Sequence, residues 1–308
     1  MTRGADRVAA RPPLPAWARA SLGGIWLLDA LLQAQPGMFS MAMLSGVMQP
    51  AAQGQPPWLA AAMTWVNDVV GHHVVLFNAA FVAVQAVIAV CLLLPRARWN
   101  RTGLWISIAW SAAVWIFGEG MGQVLTGAAT PLGGAPGAVA LYGAIAGLLL
   151  AGWGRGRPEP LPWARHLATG LFAAGALAQA APLYWTPLGL SAVFQGTLAM
   201  QPHWLAGSLA PVVAVTFARP VLCNAILVAA TGAVAVGVWR GAAWGYALAA
   251  AWLLFTWWAG EGFGMMLTGM GTDPNSVPLL ALLIVAGAMA LPAAKLARAP
   301  ARPHRTRS

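Results

Sequence analysis

Residues 115–127 read WIFGEGMGQVLTG, and residues 257–269 read WWAGEGFGMMLTG. The two stretches share a tryptophan, a Gly-Glu-Gly-x-Gly motif and a Leu-Thr-Gly ending, all 142 positions apart. Ordered matches at a fixed spacing are the signature of an internal repeat. Upstream the match continues at an offset of 146, as in the pairs Gln33/Gln179, Gln55/Gln201 and Asn78/Asn224. We therefore predict that the chain contains one structural unit twice.

The segments around the repeated motif are too apolar for a water-soluble domain. The 308-residue chain is 59% hydrophobic and 8% charged, with a mean hydropathy of +0.69, whereas an average soluble domain carries about 25% charged residues. A membrane-spanning helix needs about 20 mostly apolar residues. Eight segments are predicted to meet that need: 20–44, 72–94, 102–123, 137–153, 166–189, 220–239, 242–264 and 277–293. The predicted fold class is an all-α polytopic membrane protein with eight transmembrane helices.

The positive charges predict the orientation of these helices. Seventeen Lys and Arg residues against seven Asp and Glu give a net charge of +10. All the cations except Arg219 flank the predicted helices on one side, which the positive-inside rule makes cytoplasmic. We predict a multi-pass protein of the bacterial cytoplasmic (inner) membrane with both termini inside. Nucleic-acid binding is excluded, because the cations are scattered between apolar runs rather than gathered on one exposed face.

The repeat and the helices together predict the domain organisation. Four helices per repeat give both repeats the same orientation, so they are predicted to be parallel and related by an axis along the membrane normal. The first helix is predicted to be retained rather than cleaved as a signal peptide, because Asp29 interrupts its apolar stretch. The predicted segments are a cytoplasmic tail 1–19, a first repeat 20–154, a linker 155–165, a second repeat 166–294 and a basic tail 295–308.

A long loop joins the first two helices of each repeat. In the first repeat it runs from Pro56 to Val70 and carries Trp58 and Trp65 among small residues. This pattern suits a short helix at the membrane interface, with tryptophans at headgroup depth. An ordinary covering loop is the alternative interpretation.

Asp29 is the candidate functional residue that breaks the repeat, because its counterpart is Gly175. It lies near mid-membrane in the predicted first helix, with Gln33 four residues later on the same face. A lone carboxyl group at this depth indicates a functional site. The alternative is a protonated carboxyl group that bonds Gln33 or a neighbouring helix. Asn78 in the second helix completes this candidate polar site. We interpret it as a residue that hydrogen-bonds a neighbouring helix.

The repeated glutamates are the other candidates. Glu119 and Glu261 lie near the outer boundary at equal depths, and the repeat offset pairs His73 with Arg219 at the same level. We predict the contacts Glu119–His73 and Glu261–Arg219. They are either clasps between helices or, for Glu119 and His73, part of a functional site. The repeat-related counterparts of the first polar site are Gln179, Arg219, Asn224 and Glu261.

Several chemistries have no sequence support. The chain contains no CxxC, HExxH, P-loop or GxSxG pattern, and its histidines are not placed for a bis-histidine haem. We predict no metal site and assign no cofactor. The seventeen tryptophans suit either stacking against a pigment or quinone, or ordinary packing and interfacial anchoring.

The predicted four-helix unit resembles the DoxX-like group of bacterial membrane proteins. The likeness rests on the order of first helix, long outer loop and second helix, and on the run AAFVAVQ at 79–85 before a basic loop. The resemblance implies a membrane protein of a group in which some members are linked to thiosulfate:quinone oxidoreduction. That family tends to carry a glycine and a lysine toward the outer end of its first helix, where residues 33–36 here read QAQP. The redox activity is therefore carried over to no particular residue.

Three functions follow as hypotheses. The first is a membrane component of a redox or quinone-linked system, with Asp29, Gln33, His73 and Glu119 around a polar pocket. The second is a small-solute or proton-coupled transporter that uses the interface between repeats, and the third is a non-catalytic scaffold or assembly factor. The predicted partners are the lipid bilayer and either a membrane protein or a quinone-like small molecule. Whether the chain is an enzyme, and its oligomeric state, stay open at this point.

Overall fold

The computed structural model of the chain describes residues 16–152, 163–198 and 201–297. Helices and their connecting turns make up these residues, and no β-strand occurs within the described ranges. The predicted all-α class is therefore confirmed. Most of the predicted N-terminal tail and of the predicted linker, and the end of the basic tail from residue 298, lie outside the described residues.

The α-helices follow a similar order in the two halves of the chain, with seven in the first half and six in the second. In the first half they are α1 (Ala16–Gln33), α2 (Met41–Met43), α3 (Gln49–Ala52), α4 (Pro57–His72), α5 (Val74–Leu93), α6 (Ala97–Phe117) and α7 (Ala138–Gly152). In the second half they are α8 (Ala164–Gln179), α9 (Pro187–Leu198), α10 (His203–Ala218), α11 (Pro220–Arg240), α12 (Ala243–Phe255) and α13 (Ser276–Ala297). The first residues of α4 and α10 are 146 positions apart, and so are their last residues. The first residues of α5 and α11 are separated by the same 146 positions.

Each of the eight predicted helices corresponds to one α-helix, but several end earlier than predicted. The prediction 20–44 was wrong beyond Gln33, where α1 ends and a 3₁₀ turn starts at Pro36. Similarly α8 ends at Gln179, and another 3₁₀ turn starts at Pro182. Proline has no backbone N–H for an interior helical bond, so each helix ends before it instead of kinking.

The long loop of the first half contains a helix, α4. Leu59 and Met63 face inward and are fully buried, whereas Trp58 and Trp65 are about two-thirds exposed, at 64% and 67%. Its counterpart α10 likewise buries Leu205 and exposes Trp204. The loop thus has the amphipathic helical form that the tryptophan spacing predicts.

Equivalent helices pack on one another in both halves. Helix α1 packs on α5 and α5 on α6, while α8 packs on α11 and α11 on α12. Helix α13 contacts both α8 and α7, and so joins the two halves. The main core runs through both, and the ring of Trp26 lies against that of Tyr142 with centroids 4.4 Å apart.

Some of the helices are long and apolar enough to cross a bilayer. Within the described ranges two satisfy both criteria, Val74–Leu93 and Pro220–Arg240. A third does so if α6 is joined to the 3₁₀ turn Gly120–Thr126, to which it is bent by 46°. Helices α7 and α10 and the first part of α13 are apolar but shorter. This supports a membrane-associated chain, without reaching the predicted eight spans.

Candidate functional site

Both copies of the glycine-rich motif follow the end of an α-helix and change the conformation of the backbone. After Glu119, backbone φ angles are positive from Gly120 to Gln123, and the same conformation occurs after Glu261. Gly122 shows why a glycine is required, because a Cβ atom there would lie 2.0 Å from the carbonyl oxygen of Pro136. Helix α6 accordingly ends at Phe117, directly before the motif and earlier than the predicted end at residue 123.

Glu261 is fully engaged in the second half. Its carboxylate accepts a hydrogen bond from the hydroxyl of Ser276 and another, at 3.3 Å, from the backbone N–H of Val277. These groups form the first turn of α13, where a carboxylate satisfies free N–H groups and the helix dipole. The predicted contact with Arg219 was wrong, because Arg219 lies exposed at the junction of α10 and α11.

Glu119 occupies the equivalent place at the start of α7 but is only half engaged. Its Oε1 accepts a hydrogen bond of 3.3 Å from the N–H of Val139, while Oε2 is buried and has no hydrogen-bond partner among the described residues. The predicted contact with His73 was wrong as well, since His73 is exposed between α4 and α5. In both halves the free N–H groups of the following helix attract the carboxylate.

Asp29 and Glu119 line one cavity of about 220 Å³. The third carboxyl group on this cavity is Asp273, which arrives from the loop between α12 and α13 of the other half. The described residues include two further acids, Glu261 and the exposed Asp68, and neither lines it. The cavity thus collects three carboxyl groups from both halves of the chain.

Several polar atoms around this cavity have no hydrogen-bond partner within the described ranges. They are Asp29 Oδ1, Gln85 Oε1, Trp110 Nε1 and Glu119 Oε2. Asp29 and Gln85 are only 2% and 7% exposed. Buried polar groups are almost always hydrogen-bonded in folded proteins. Four of the buried side-chain atoms without a partner in the described chain thus lie around this one cavity.

The second half fills the equivalent place with hydrocarbon. The counterpart of Asp29 is Gly175 at an offset of 146, and the counterpart of Asp273 is Pro131 at an offset of 142. Pro131 packs so closely that a Cβ atom on Gly175 would lie 3.0 Å from the Pro131 Cβ. Two acids that line one cavity on one side of the molecule are therefore matched by a close glycine–proline contact on the other.

The neighbouring tryptophans show the same difference. Trp252 donates a hydrogen bond of 3.0 Å from Nε1 to the hydroxyl of Thr231. In the first half the corresponding residues are Trp110 and Gln85, which both face the cavity without bonding each other. The second half thus has a direct hydrogen bond at the place where the first half has a cavity.

Amide pairs hold the helices beside the cavity. Gln33 donates from Nε2 to Asn78 Oδ1 at 2.5 Å, and Asn78 donates to the Gln33 carbonyl at 3.0 Å. Gln179 and Asn224 repeat both bonds, at 2.8 and 3.2 Å. The hydroxyl of Thr130 also donates to Gln179 Oε1 at 2.5 Å, linking the first half to the second. Asn78 and Asn224 therefore bond neighbouring helices, as expected from the sequence.

The rest of the cavity wall is aromatic and aliphatic. Its aromatic side chains are Trp26, Phe81, Trp110 and Phe117, and its methionines are Met38, Met43 and Met48. No Lys, Arg or His is among the described residues that line the cavity. The three carboxyl groups thus face an apolar surface without a compensating basic side chain.

Asp273 lies where three cavities meet. Together with Thr272 it also lines a cavity of about 500 Å³ against the loop 128–138 and one of about 230 Å³ against Gly264 and Met265. Burial raises the pKa of Asp273, although its bonds from the Thr272 hydroxyl and the Asn275 N–H oppose that shift. The carboxyl group of Asp273 therefore faces all three cavities.

The structure thus brings together some of the predicted site residues and separates others. Asp29, Gln33 and Glu119 share the cavity, and Asn78 bonds Gln33 beside it. His73 and the second-half set Gln179, Arg219, Asn224 and Glu261 are not among its lining residues. The residues that the sequence analysis missed are Gln85, Trp110 and Asp273. No cluster of metal-binding side chains occurs in the part of the chain that the structure describes.

No protein-family model, curated protein or solved structure matches this chain. The site is therefore interpreted from its own geometry.

Proposed function

We propose that the chain is a multi-pass inner-membrane protein built from two parallel four-helix repeats with both termini in the cytoplasm. The apolar helices, the one-sided distribution of cations and the matching bounds of α4 and α10 support this proposal. We also propose that each four-helix repeat resembles the DoxX-like proteins, but only in the order of its helices and its long outer loop.

Within that frame, we propose that the protein is a carrier for a small solute, coupled to proton movement. The observation that carries the proposal is the cavity on which Asp29, Glu119 and Asp273 converge without a basic side chain. Ionisable groups within membrane helices are costly and mark solute or proton pathways. Burying carboxyl groups from both halves without a basic partner costs stability, and a purely structural role does not explain that cost.

The chemistry of the carrier follows from the carboxyl groups. An unpaired buried carboxylate is unfavourable, so these groups hold protons when no solute compensates their charge. A bound solute that stabilises the ionised form of a carboxyl group lets that group release its proton, and departure of the solute lets the group take a proton back. Because Asp273 also faces the two other cavities, the loop between α12 and α13 offers the proton a route out.

Proteoliposomes with an interior pH-sensitive dye test this function. The wild type is expected to give a proton flux that depends on an added small solute, and Asp29→Asn should abolish it. Asp68→Asn, which removes an exposed acid, should retain the wild-type flux. Loss of flux in both variants, or unchanged flux in Asp29→Asn, would overturn the proposal.

A redox or quinone-linked membrane component is the second candidate function. It is favoured by the aromatic wall and by the unbonded indole N–H of Trp110, which could donate to a quinone carbonyl. Quenching of tryptophan fluorescence by a short-chain quinone tests it, and Trp110→Phe should weaken the binding. If neither solute nor quinone acts, the scaffold function is the one that the chain supports.

A further inference from the structure

We infer that the cavity holding Asp29, Glu119 and Asp273 binds a small organic cation of the alkylammonium or quaternary ammonium class. This inference rests on the proposed carrier function and names its substrate class. It follows from the charge, the wall, the size and the unbonded polar atoms of the cavity.

Charge is the first argument. Three carboxyl groups converge on the cavity, and no basic side chain is among the described residues on its wall. A cationic guest supplies the missing positive charge, so a carboxylate next to it can ionise without the cost of an unpaired buried ion. A neutral guest would leave that cost in place.

The wall is the second argument. The indole of Trp110 lies beside Phe81 with ring centroids 5.4 Å apart, and Trp26 and Phe117 add further aromatic surface. Aromatic faces attract ammonium groups through their quadrupole, and the attraction grows when water is excluded. Aromatic rings with nearby carboxylates are therefore a suitable environment for an alkylated ammonium.

Size limits the guest. The cavity of about 220 Å³ lies below the roughly 300–1,000 Å³ of pockets for drug-sized ligands. It therefore fits a molecule with only a few carbon atoms. Gln85, which is 7% exposed, has an unbonded Oε1 on the same wall and could accept a hydrogen bond from an N–H or hydroxyl of that molecule.

The second half provides an internal comparison. There Gly175 and Pro131 occupy the positions of Asp29 and Asp273, and Glu261 is saturated by Ser276 and Val277. The cluster of three acids therefore occurs on one side only. This predicts a single cation site per chain.

Binding to the purified full-length protein in detergent tests the inference. Choline chloride is titrated against tryptophan fluorescence, with potassium chloride at equal ionic strength and 3,3-dimethyl-1-butanol, the uncharged analogue of choline, as comparison ligands. Saturable binding of choline alone is expected. Equal affinity for the uncharged alcohol, or no saturable choline signal in folded wild type, would overturn the inference.

The two repeat-related glutamates supply matched variants. Glu119→Gln should weaken choline binding by about tenfold or more, since it removes a charge-assisted contact. Glu261→Gln should bind choline within about twofold of wild type, and so should Asp68→Asn. If Glu119→Gln does not fold, Gln85→Leu is used instead, with weaker binding expected. Equal losses in Glu119→Gln and Glu261→Gln would contradict the inference.

The outcomes separate this inference from the carrier function. Saturable choline binding without proton flux in proteoliposomes would keep the cation site and overturn the carrier. Flux driven by an uncharged solute, without choline binding, would keep the carrier and overturn the cation site.

Discussion

The amide pair of Gln179 and Asn224 joins α8 to α11, and its removal should weaken the second half by a measurable amount. Both side chains are fully buried. Asn224→Leu removes the bond of 2.8 Å between the two side chains and the bond of 3.2 Å to the Gln179 carbonyl. Interhelical hydrogen bonds in membranes average about 0.6 kcal/mol, and an unsatisfied buried donor costs about 1–3 kcal/mol. We expect a loss of about 2–3 kcal/mol.

A double-mutant cycle isolates the side-chain bond. Gln179→Leu, Asn224→Leu and the double variant are unfolded in mixed micelles with a rising fraction of SDS, and the free energies of unfolding are compared. The double variant should lose about 1 kcal/mol less than the sum of the single variants. This difference reports only the bond between the two side chains. The bond from Asn224 to the backbone carbonyl of Gln179 does not contribute, because Gln179→Leu leaves that carbonyl in place.

A control cycle pairs Gln179→Leu with Asn100→Leu. Asn100 bonds the carbonyls of Cys91 and Leu94 at the start of α6 and shares no partner with Gln179. Its effects should add to those of Gln179→Leu within about 0.5 kcal/mol. Additive effects of Gln179→Leu and Asn224→Leu as well would refute the reasoning, because the amide pair would then contribute no coupling.

Three further predictions follow from single side chains. Gly122→Ala should prevent folding or lower the melting temperature far more than Gly127→Ala. Both glycines have a positive φ angle, but only Gly122 lacks room for a Cβ atom. Thermal melts in detergent measure the two effects, and equal effects would contradict the prediction. Trp252→Phe should lower the free energy of unfolding by about 1 kcal/mol, because it removes a hydrogen bond. Trp110→Phe should lower it less, because the indole N–H of Trp110 has no partner within the described chain. Unfolding in SDS measures both losses, and the reverse order would contradict the account. Because burial raises the pKa of Asp273, the folded state binds more protons there than the unfolded chain, so the stability from this group falls as pH rises above its ordinary value of 3.8 toward the raised pKa. Asp273→Asn should reduce that decline in thermal melts across pH. A pH profile identical to that of wild type would contradict this prediction.

The helices were predictable from the sequence because apolar length determines them. All eight predicted segments correspond to a helix, and the tryptophan pattern after Pro56 also corresponds to one, α4. The ends were less accurate, because an apolar run continues past residue 33 while the proline at 36 stops the helix. At these boundaries the proline, and not the hydropathy of the segment, determines where the helix ends.

The predicted partners of the glutamates were wrong for a local reason. Equal depth in the membrane suggested His73 for Glu119 and Arg219 for Glu261. Depth alone ignores the free N–H groups at the start of the next helix, which lie beside each carboxylate. The serine at 276, directly before an apolar run, was the sequence signal for that contact.

Asp273 was missed because it lies in a loop, yet the repeat held the information. The repeat offset that pairs Asp29 with Gly175 in the helices has an equivalent in the loops, where it pairs Asp273 with Pro131. Two acids that replace a glycine and a proline at matching positions predict a contact between halves. The cavity itself required the structure, because its wall comes from several helices that the sequence does not place beside one another.

Carboxyl labelling tests the central claim most directly, namely that one cavity presents Asp29, Glu119 and Asp273 to a guest. The purified protein is treated with a hydrophobic carbodiimide, with and without choline, and the modified peptides are identified by mass spectrometry. Asp29 and Glu119 are predicted to react and to be protected by choline, while Glu261 stays unmodified behind its bonds to Ser276 and Val277. Equal modification of Glu119 and Glu261, or no modification of any of the three cavity carboxyl groups, would contradict the account.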